Sequence, residues 1–403
     1  MSYTVTEVTN QLSGGNSFVR DCGVLRNNDK IYFGTVAGGY CYLVEVNKQG
    51  SSRALQLYPN SYETDFGPDD YHGSPALEWI EKGRKILTVG GAHGGFKPMK
   101  WAVVDVENWQ IVASGDFGDT DLTYPVLVKT SDGKISLFIC YYDPSLGYRV
   151  IWWYEFDPTT NTWSGPVKIT VQETKIVYLA GWNIDRGWAI LAFSLPGTYF
   201  EFAYVQFDPV NKKFYDLQGN ELTPPFDHTT LPSLGARSMA ILNNYVYTIL
   251  YDTNTSVVYA KKLTLDLSEI KSVELASASQ GLNTAYMHEL ALDLMVYGSS
   301  EILVAYRNNS NKLEIDVLDP DTLTPEKVFE SPSSDIPQAP HFENHYEGAL
   351  VWFNLIDTTG ERNWNLEASD DHITYVDFID RAKISTVLTL RAVSYTHLTL
   401  PTN

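Results

Sequence analysis

Seven apolar, β-rich runs recur along this chain of 403 residues, each following a turn. Their period of ~50 residues is typical of propellers and other repeat arrays. Because one such unit cannot bury its apolar face alone, the pattern favours one domain built from stacked units. The runs occupy residues 31–35, 85–90, 134–139, 188–193, 245–250, 301–306 and 348–353.

A second repeat supports the first. Acidic turns such as Phe156-Asp-Pro158 and Phe207-Asp-Pro209 follow the third strand of successive units, where Asp and Pro both favour a turn. Each unit therefore consists of four strands joined by turns. We predict an all-β fold, a seven-bladed β-propeller with four-stranded antiparallel blades. The predicted blades lie near 17–60, 70–115, 121–171, 174–218, 232–278, 283–330 and 337–379.

The propeller is expected to form a single domain over residues 1–390. Closing the ring requires the two chain ends to meet, so Tyr3 to Val8 are candidates to pair with the last blade, and either end could supply the closing strand. Residues 391–403 fit no blade. They resemble a translated sequencing adapter, and we interpret them as a non-native or disordered tail.

Charge and composition limit the kinds of molecule that this protein is expected to bind. A net charge of −20 disfavours nucleic acid and anionic membranes, which bind clustered Lys and Arg. No apolar run is long enough to cross a membrane, and the N-terminus is not a signal peptide, although a secreted or periplasmic location would suit the function inferred below. The three cysteines, Cys22, Cys41 and Cys140, are widely spaced and are predicted to be small buried residues. We expect a monomer.

In a propeller, the starts of the innermost strands converge at the mouth of a central channel. The strands are predicted to begin near Phe18, His72, Thr123, Val177, Gly235, Tyr286 and Pro340. The residues at these starts are rich in side chains that carry chemistry, which indicates a site. They are Arg20, Asp21, His72, Tyr124, Tyr178, Arg237, His288, Glu289 and His341.

The sharpest local motif pairs two histidines. Asp69-Asp-Tyr-His-Gly-Ser-Pro-Ala76 places His72 at an innermost strand, and Gly90-Gly-Ala-His-Gly-Gly95 places His93 at the end of the neighbouring strand. Antiparallel neighbours return their ends to one edge, so both imidazoles are expected at one mouth of the channel. Such a pair can transfer protons. We assign no metal ligands and expect that no cofactor is required. The two histidines together with Asp69 and Asp70 could also hold a divalent metal ion, and the sequence does not decide this.

The same segment resembles the BNR-repeat proteins that include the seven-bladed ulvan lyases and related polysaccharide lyases. That family carries an Asp-Asp-His-x-Ser-Pro-Ala segment followed by a second histidine in a Gly-rich strand end. Here Tyr71 replaces the second Asp. A Thr-Tyr-Pro blade start at Thr123 and the segment Asn161-Thr-Trp-Ser-Gly-Pro166 are also similar. The resemblance runs from about residue 27 to residue 265.

This resemblance implies β-elimination on a uronate-containing glycan, sulfated or not. The reaction needs a group that neutralises the carboxylate, a base for the C5 proton and an acid for the leaving oxygen. By resemblance, His72 and His93 bind and polarise the acid sugar, or one of them is the base. Tyr124 or Tyr178 is the tyrosine acid/base.

One position departs from the family. Family lyases place an arginine about one hairpin after the catalytic tyrosine, which here falls near Cys140 or Ser194. Neither is an arginine, so the cation must come from elsewhere. The candidates for substrate binding are Arg149, Arg237, His288 and Arg20.

Two other functions remain open. Sialidase-like hydrolysis needs an arginine triad and a Tyr/Glu pair, but the Arg-Ile-Pro start is missing and seven units exceed the usual six. A propeller rich in tyrosine (26) and tryptophan (10) could instead bind a glycan or protein without catalysis. The tryptophans considered for that role are Trp101, Trp152, Trp153, Trp182 and Trp364.

Overall fold

A computed structural model describes residues 3–10, 23–60, 73–91, 98–118, 122–198, 201–252, 254–277, 292–298, 300–310, 312–332, 336–343, 345, 347–355 and 372–381. Within these ranges the fold is all-β, with one short 3-10 helix (His228–Thr230). The strands are β1 (Tyr3–Asn10), β2 (Val24–Asn27), β3 (Lys30–Ala37), β4 (Tyr40–Asn47), β5 (Ser52–Pro59), β6 (Ala76–Glu81), β7 (Lys85–Gly90), β8 (Met99–Asp105), β9 (Gln110–Phe117), β10 (Leu122–Lys129), β11 (Ile135–Asp143), β12 (Tyr148–Asp157), β13 (Thr162–Lys168), β14 (Val177–Asn183), β15 (Trp188–Ser194), β16 (Phe202–Asp208), β17 (Lys213–Tyr215), β18 (Glu221–Leu222), β19 (Ser233–Leu234), β20 (Ser238–Leu242), β21 (Tyr245–Asp252), β22 (Val257–Leu263), β23 (Glu269–Ser277), β24 (Leu292–Tyr297), β25 (Glu301–Arg307), β26 (Leu313–Leu318), β27 (Pro325–Glu330), β28 (Ile336–Phe342), β29 (Ala349–Leu355) and β30 (His372–Arg381).

The strands form antiparallel sheets like the blades of a propeller. Five sheets have four strands each: β2 to β5, β6 to β9, β10 to β13, β24 to β27, and β1 with β28 to β30. A sixth, ten-stranded sheet contains two antiparallel runs, β14 to β18 and β20 to β23, joined by one parallel bridge between Asn183 and Ile241. No closed sheet is found among the described residues.

The seven apolar runs of the sequence are the second strands of these groups: β3, β7, β11, β15, β21, β25 and β29. Their residues are almost continuously buried, whereas the outer strand β13 is largely exposed. A second strand is covered on both faces by neighbouring sheets, so it loses the alternation of a half-exposed strand. The repeat seen in the sequence therefore reports sheet-to-sheet packing.

The acidic turns also form as predicted. The carboxylate of Asp157 accepts a hydrogen bond from the backbone N–H of Thr159 (2.9 Å), and Asp208 does the same for Val210 (2.8 Å). Asp105 and Asp319 make equivalent turns. These local bonds satisfy backbone donors between the third and fourth strands and set where each outer strand begins.

The predicted starts of the innermost strands agree best with the observed starts for the third and fourth units of the chain. β10 begins at Leu122 and β14 at Val177, each within one residue of the prediction. β6 begins at Ala76, four residues after the predicted start at His72, and the residues Gly73 to Pro75 are not part of the strand. β20 also begins late, at Ser238, whereas β28 begins early, at Ile336. The predictions at Phe18 and Tyr286 lie outside the described residues.

The N-terminal strand completes the last sheet. β1 pairs with β30 over its whole length, from Tyr3 opposite Arg381 to Asn10 opposite Thr374. Val8 joins an apolar cluster that includes Val24 and Ile31 of the first sheet. The predicted pairing of Tyr3 to Val8 with the last unit is thus confirmed, and the N-terminus supplies the outermost strand. The tail at 391–403 lies outside the described residues, and the single-domain assignment over 1–390 stays a prediction.

Candidate functional site

Six predicted site residues lie outside the described residues: Arg20, Asp21, His72, His93, His288 and Glu289. The chain beside the two histidines is described: the N–H of Gly91 donates to the carbonyl of Gly73 (2.8 Å). Gly73 follows His72, and Gly91 precedes His93 by two positions. The neighbouring backbone therefore pairs as the two-histidine prediction requires, and the placement of the imidazoles stays a prediction.

Tyr124 lies near the start of β10 in an unusual backbone conformation. Its φ is 56°, in the left-handed region that large side chains rarely adopt, and the register of β10 shifts between Thr123 and Val126. Such strain persists only where the surrounding packing holds it, and it concentrates at functional sites. The bulge turns Tyr124 towards the neighbouring sheet, where its ring lies edge-on to Tyr178 at 6.5 Å between centroids.

Tyr178 lies where the ten-stranded sheet meets the sheet of β10 to β13. It lies at the second position of β14 and is only 2% exposed. The guanidinium carbon of Arg237 lies 4.9 Å from the centroid of its ring, at cation–π distance. The structure therefore brings three predicted site residues together: Tyr124, Tyr178 and Arg237.

The segment before β20 holds Arg237 in place. β19 pairs with β16, and the hydroxyl of Tyr204 on β16 donates to the carbonyls of Leu234 (3.1 Å) and Ala236. Arg237 follows directly and is 9% exposed. Burying a guanidinium is costly unless anions or aromatic faces compensate, and the ring of Tyr178 is one such face.

Bulges occur beside the site on three innermost strands. In β14 the register shifts between Leu179 and Gly181, directly after Tyr178. In β28 it shifts between Gln338 and His341, and in β10 it shifts at Tyr124. Bulges redirect side chains and are common beside active sites. A fourth shift, in β6 between Trp79 and Glu81, lies at the other end of its strand.

Two adjoining cavities lie between the innermost strands, and they are called here the first and the second space. The first is lined by residues that include Gly23, Ala76, Tyr178, Arg237 and His341. The second is lined by residues that include Trp182, Met239, Asp293, His341 and Glu343. Leu179 and His341 border both. Six of the innermost strands, β6, β10, β14, β20, β24 and β28, contribute lining residues to these spaces. Gly23, just before β2, and Arg237, just before β20, also line the first space.

Sequence reasoning missed Asp293, which lies beside His341. Its Oδ2 lies 3.5 Å from Nδ1 of His341 and accepts the N–H of Phe342 (2.7 Å). Its Oδ1 accepts the hydroxyl of Ser238 and the N–H of Leu294 (2.8 Å). The available signal was a lone carboxylate within the otherwise apolar strand Leu292–Tyr297, whose first five residues are buried.

The pKa of His341 follows from this setting. Burial lowers it to about 4; the carboxylate of Asp293 opposes the shift, and the positive charge of Arg237 adds to it. His341 is therefore a neutral imidazole at neutral pH, with a free electron pair on one ring nitrogen.

Arg149 lies apart from this group. It is near the start of β12, the third strand of its sheet, where it pairs with Tyr142 in the ladder. Its carbonyl accepts the N–H of Thr174 (2.8 Å), and it lines neither of the two spaces. Ser194, the other position where the family motif would call for an arginine, is fully buried and accepts the N–H groups of Lys175 and Ile176.

A second histidine contact spans the far end of the innermost strands. Nε2 of His345, after β28, lies 3.0 Å from Oε1 of Glu78 on β6, and its ring lies 6.4 Å from that of Trp182 on β14. Burial lowers the pKa of His345, but the carboxylates of Glu78, Glu343 and Glu347 outweigh it and raise the pKa to about 9. His345 is therefore a charged imidazolium that connects three sheets.

The remaining predictions concern cysteines and metals. Cys41 and Cys140 are buried as expected, and burial raises the pKa of both thiols; Cys22 lies outside the described residues. Among the described residues, no cluster of His, Cys, Asp and Glu could hold a metal ion. No helix in the described ranges is long and apolar enough to span a membrane.

Solved structures of polysaccharide lyases share this fold. Polysaccharide lyase Uly1 matches with a TM-score of 0.56 and 13% identity over 91% of this chain and 90% of that one. A PL25 ulvan lyase matches with a TM-score of 0.59 and 13% identity over 86% and 92% of the two chains. The same type of lyase bound to -[GlcA(1-4)Rha3S]- matches equally well, at 12% identity. No protein-family model and no curated protein matches, so membership of the BNR-repeat family stays a prediction.

Proposed function

We propose that this protein is a polysaccharide lyase-like enzyme that cleaves a uronate-containing glycan by β-elimination. One observation carries the proposal: a buried arginine, Arg237, lies against Tyr178 at a space between the innermost strands. The fold shared with ulvan lyases is consistent with it. Because β-elimination builds negative charge on the sugar carboxylate, a preorganised cation beside an acid/base group is the arrangement that the reaction needs.

Arg237 takes the role of the arginine that is missing after either tyrosine. It comes from the neighbouring run of strands rather than from the same hairpin. Tyr178 then serves as the tyrosine acid/base, with Tyr124 as its packing partner and as the alternative. By the sequence prediction, His72 and His93 bind and polarise the acid sugar, and His288 and Arg20 also bind the glycan.

We further propose that the sheets close into a seven-bladed ring. Each innermost strand contacts the next one along the chain, from β2 with β6 to β24 with β28, and β2 also contacts β29. The strand β1 joins the last sheet, which is how a propeller secures its ends. The ten-stranded sheet then counts as two blades that share one bridge. In this arrangement the protein acts as a monomer.

Incubation with uronate polysaccharides tests the function. A lyase creates a C4=C5 double bond, so a rise in ultraviolet absorbance together with new chain ends supports the proposal. New reducing ends without absorbance would support hydrolysis, and binding without cleavage would support a glycan-binding protein. His72→Ala and His93→Ala are expected to abolish product formation while leaving thermal unfolding nearly unchanged. A large loss of stability with full activity would contradict their catalytic role.

A further inference from the structure

Asp293 is a buried carboxylate, and both of its oxygens accept hydrogen bonds. Three donors, one from each of three sheets, converge on it: the hydroxyl of Ser238 on β20, the N–H of Leu294 on β24 and the N–H of Phe342 on β28. Hydrogen bonds from several donors fix the orientation of a carboxylate. Asp293 therefore presents a fixed carboxylate at the wall of the second space.

The adjacent imidazole faces this carboxylate. Nδ1 of His341 lies 3.5 Å from Oδ2 of Asp293, a long contact of the kind that shortens when a substrate arrives. An N–H on Nδ1 is the tautomer that a carboxylate favours, and it leaves the electron pair on Nε2. The side chain keeps 15% of its surface exposed and borders both spaces.

The neighbours of His341 match the needs of the proposed reaction. Arg237 and Tyr178 line the first space together with His341. The cation is close enough to influence the imidazole, since its charge lowers the pKa of His341. A carboxylate bound to Arg237 would therefore lie between a tyrosine and a neutral histidine.

We propose that His341 is the base that removes the C5 proton, and that Asp293 and Ser238 are positioning residues that act through it. The proposal rests on the proposed lyase function. The C5–H bond breaks and its proton goes to Nε2 of His341. The electron pair forms the C4=C5 double bond as the C4–O bond breaks, and the leaving oxygen takes a proton from Tyr178. Both residues then return to their starting protonation by exchange with water.

Kinetics of unsaturated-product formation test the assignment. We expect His341→Gln to lower kcat by ~10²–10⁴-fold, the usual contribution of a general base. Asp293→Asn is expected to lower it ~10–100-fold, and to cause no further loss in the His341→Gln background. His345→Gln, which removes a histidine at the far end of the strands, should retain the wild-type kcat at temperatures where its thermal unfolding shows it folded, and it serves as the control.

Chemical rescue separates catalysis from structure. His341→Ala should regain part of its kcat when imidazole is added, whereas a merely structural histidine would not be replaced in this way. Wild-type kcat in His341→Gln, or no rescue of folded His341→Ala, overturns the inference while the proposed function stands. No unsaturated product from the wild-type protein overturns the proposed function, and the elimination step with it. Thermal unfolding of each variant identifies those that fail to fold, and Asp293→Asn then provides the independent test.

Discussion

Glu7 on β1 and Asp377 on β30 are directly opposite each other in the antiparallel pairing of these two strands. Asp377 is fully buried, and its Oδ2 accepts the indole N–H of Trp352 (2.8 Å). Tyr375 and Ile379, on the same face of β30, belong to an apolar cluster. Burial raises the pKa of Glu7 to about 7, and burial together with the charge of Glu7 raises the pKa of Asp377 well above its usual value. The pairing of β1 with β30, which joins the two chain ends, therefore contains two carboxyl groups whose surroundings favour protonation.

The pH dependence of unfolding tests this pair. A carboxyl group with a raised pKa in the folded state stabilises the fold below its unfolded value, and the contribution is lost as pH rises. For Glu7 the loss should occur between about pH 4.5 and about pH 7. Glu7→Gln should remove this decline and raise the melting temperature at pH 8 by ~2 °C. Asp380→Asn is the control on the same strand: Asp380 binds Arg26 and Lys48, so its loss should lower the melting temperature at pH 8.

The contact between His345 and Glu78 predicts a second, more alkaline transition. The pKa of His345 is raised to about 9, so its stabilising charge is complete below about pH 6.5 and is lost as pH rises through about 9. His345→Gln should abolish the decline in melting temperature over this range. It also leaves the buried Glu78 without its cation, which typically costs ~3–5 kcal/mol. The double variant Glu78→Gln/His345→Gln should recover part of that loss, and a decline that persists in His345→Gln would assign it to another group.

Gly181 tests the close approach of two innermost strands. Its φ is 145°, and a Cβ there would collide with the carbonyl oxygen of Met239 on β20. Gly181→Ala should therefore lower the free energy of unfolding by ~1–3 kcal/mol, measured by chemical denaturation. Gly187 also has a positive φ, 68°, but a Cβ there meets open space. Gly187→Ala should cost less, and an equal cost would mean that backbone strain alone is responsible.

The contact between Arg237 and Tyr178 makes a kinetic prediction. Arg237→Gln should reduce unsaturated-product formation by ~10²–10³-fold, because the carboxylate loses its charge partner. Arg186 is a matched control, since its guanidinium carbon also lies over an aromatic ring, that of Trp188 at 4.6 Å, but on the exposed surface. Arg186→Gln should keep wild-type kinetics. If both variants lost the same rate of product formation, the loss would reflect lower protein stability rather than a missing charge partner for the substrate carboxylate.

Tyr178→Phe and Tyr124→Phe distinguish the two candidate acids. Both rings stay in place, so thermal unfolding should change little. If Tyr178 protonates the leaving oxygen, its variant should lose ~10²–10⁴-fold in kcat and the Tyr124 variant should not. The reverse pattern would move the acid to Tyr124 and leave the charge partner at Arg237 unchanged.

Local patterns in the sequence determined the strands and many of the turns. The seven apolar runs mark second strands because those strands are covered on both faces, and the acidic turns form because Asp bonds its own downstream backbone. The positions of Tyr124 and Tyr178 near the starts of innermost strands followed from the same repeat. These features depend on residues close together in the chain, so their signals survive in the sequence alone.

Only the tertiary structure decided which side chains meet. Arg237 reaches Tyr178 because Tyr204 and β19 hold the segment before β20 against the preceding strands. Asp293 lies beside His341 on the next sheet along the chain, and His345 contacts Glu78 on a sheet that is far away in sequence. Such contacts arise from how the sheets pack around their innermost strands, and a period in the sequence carries no record of which face of one sheet will lie against another.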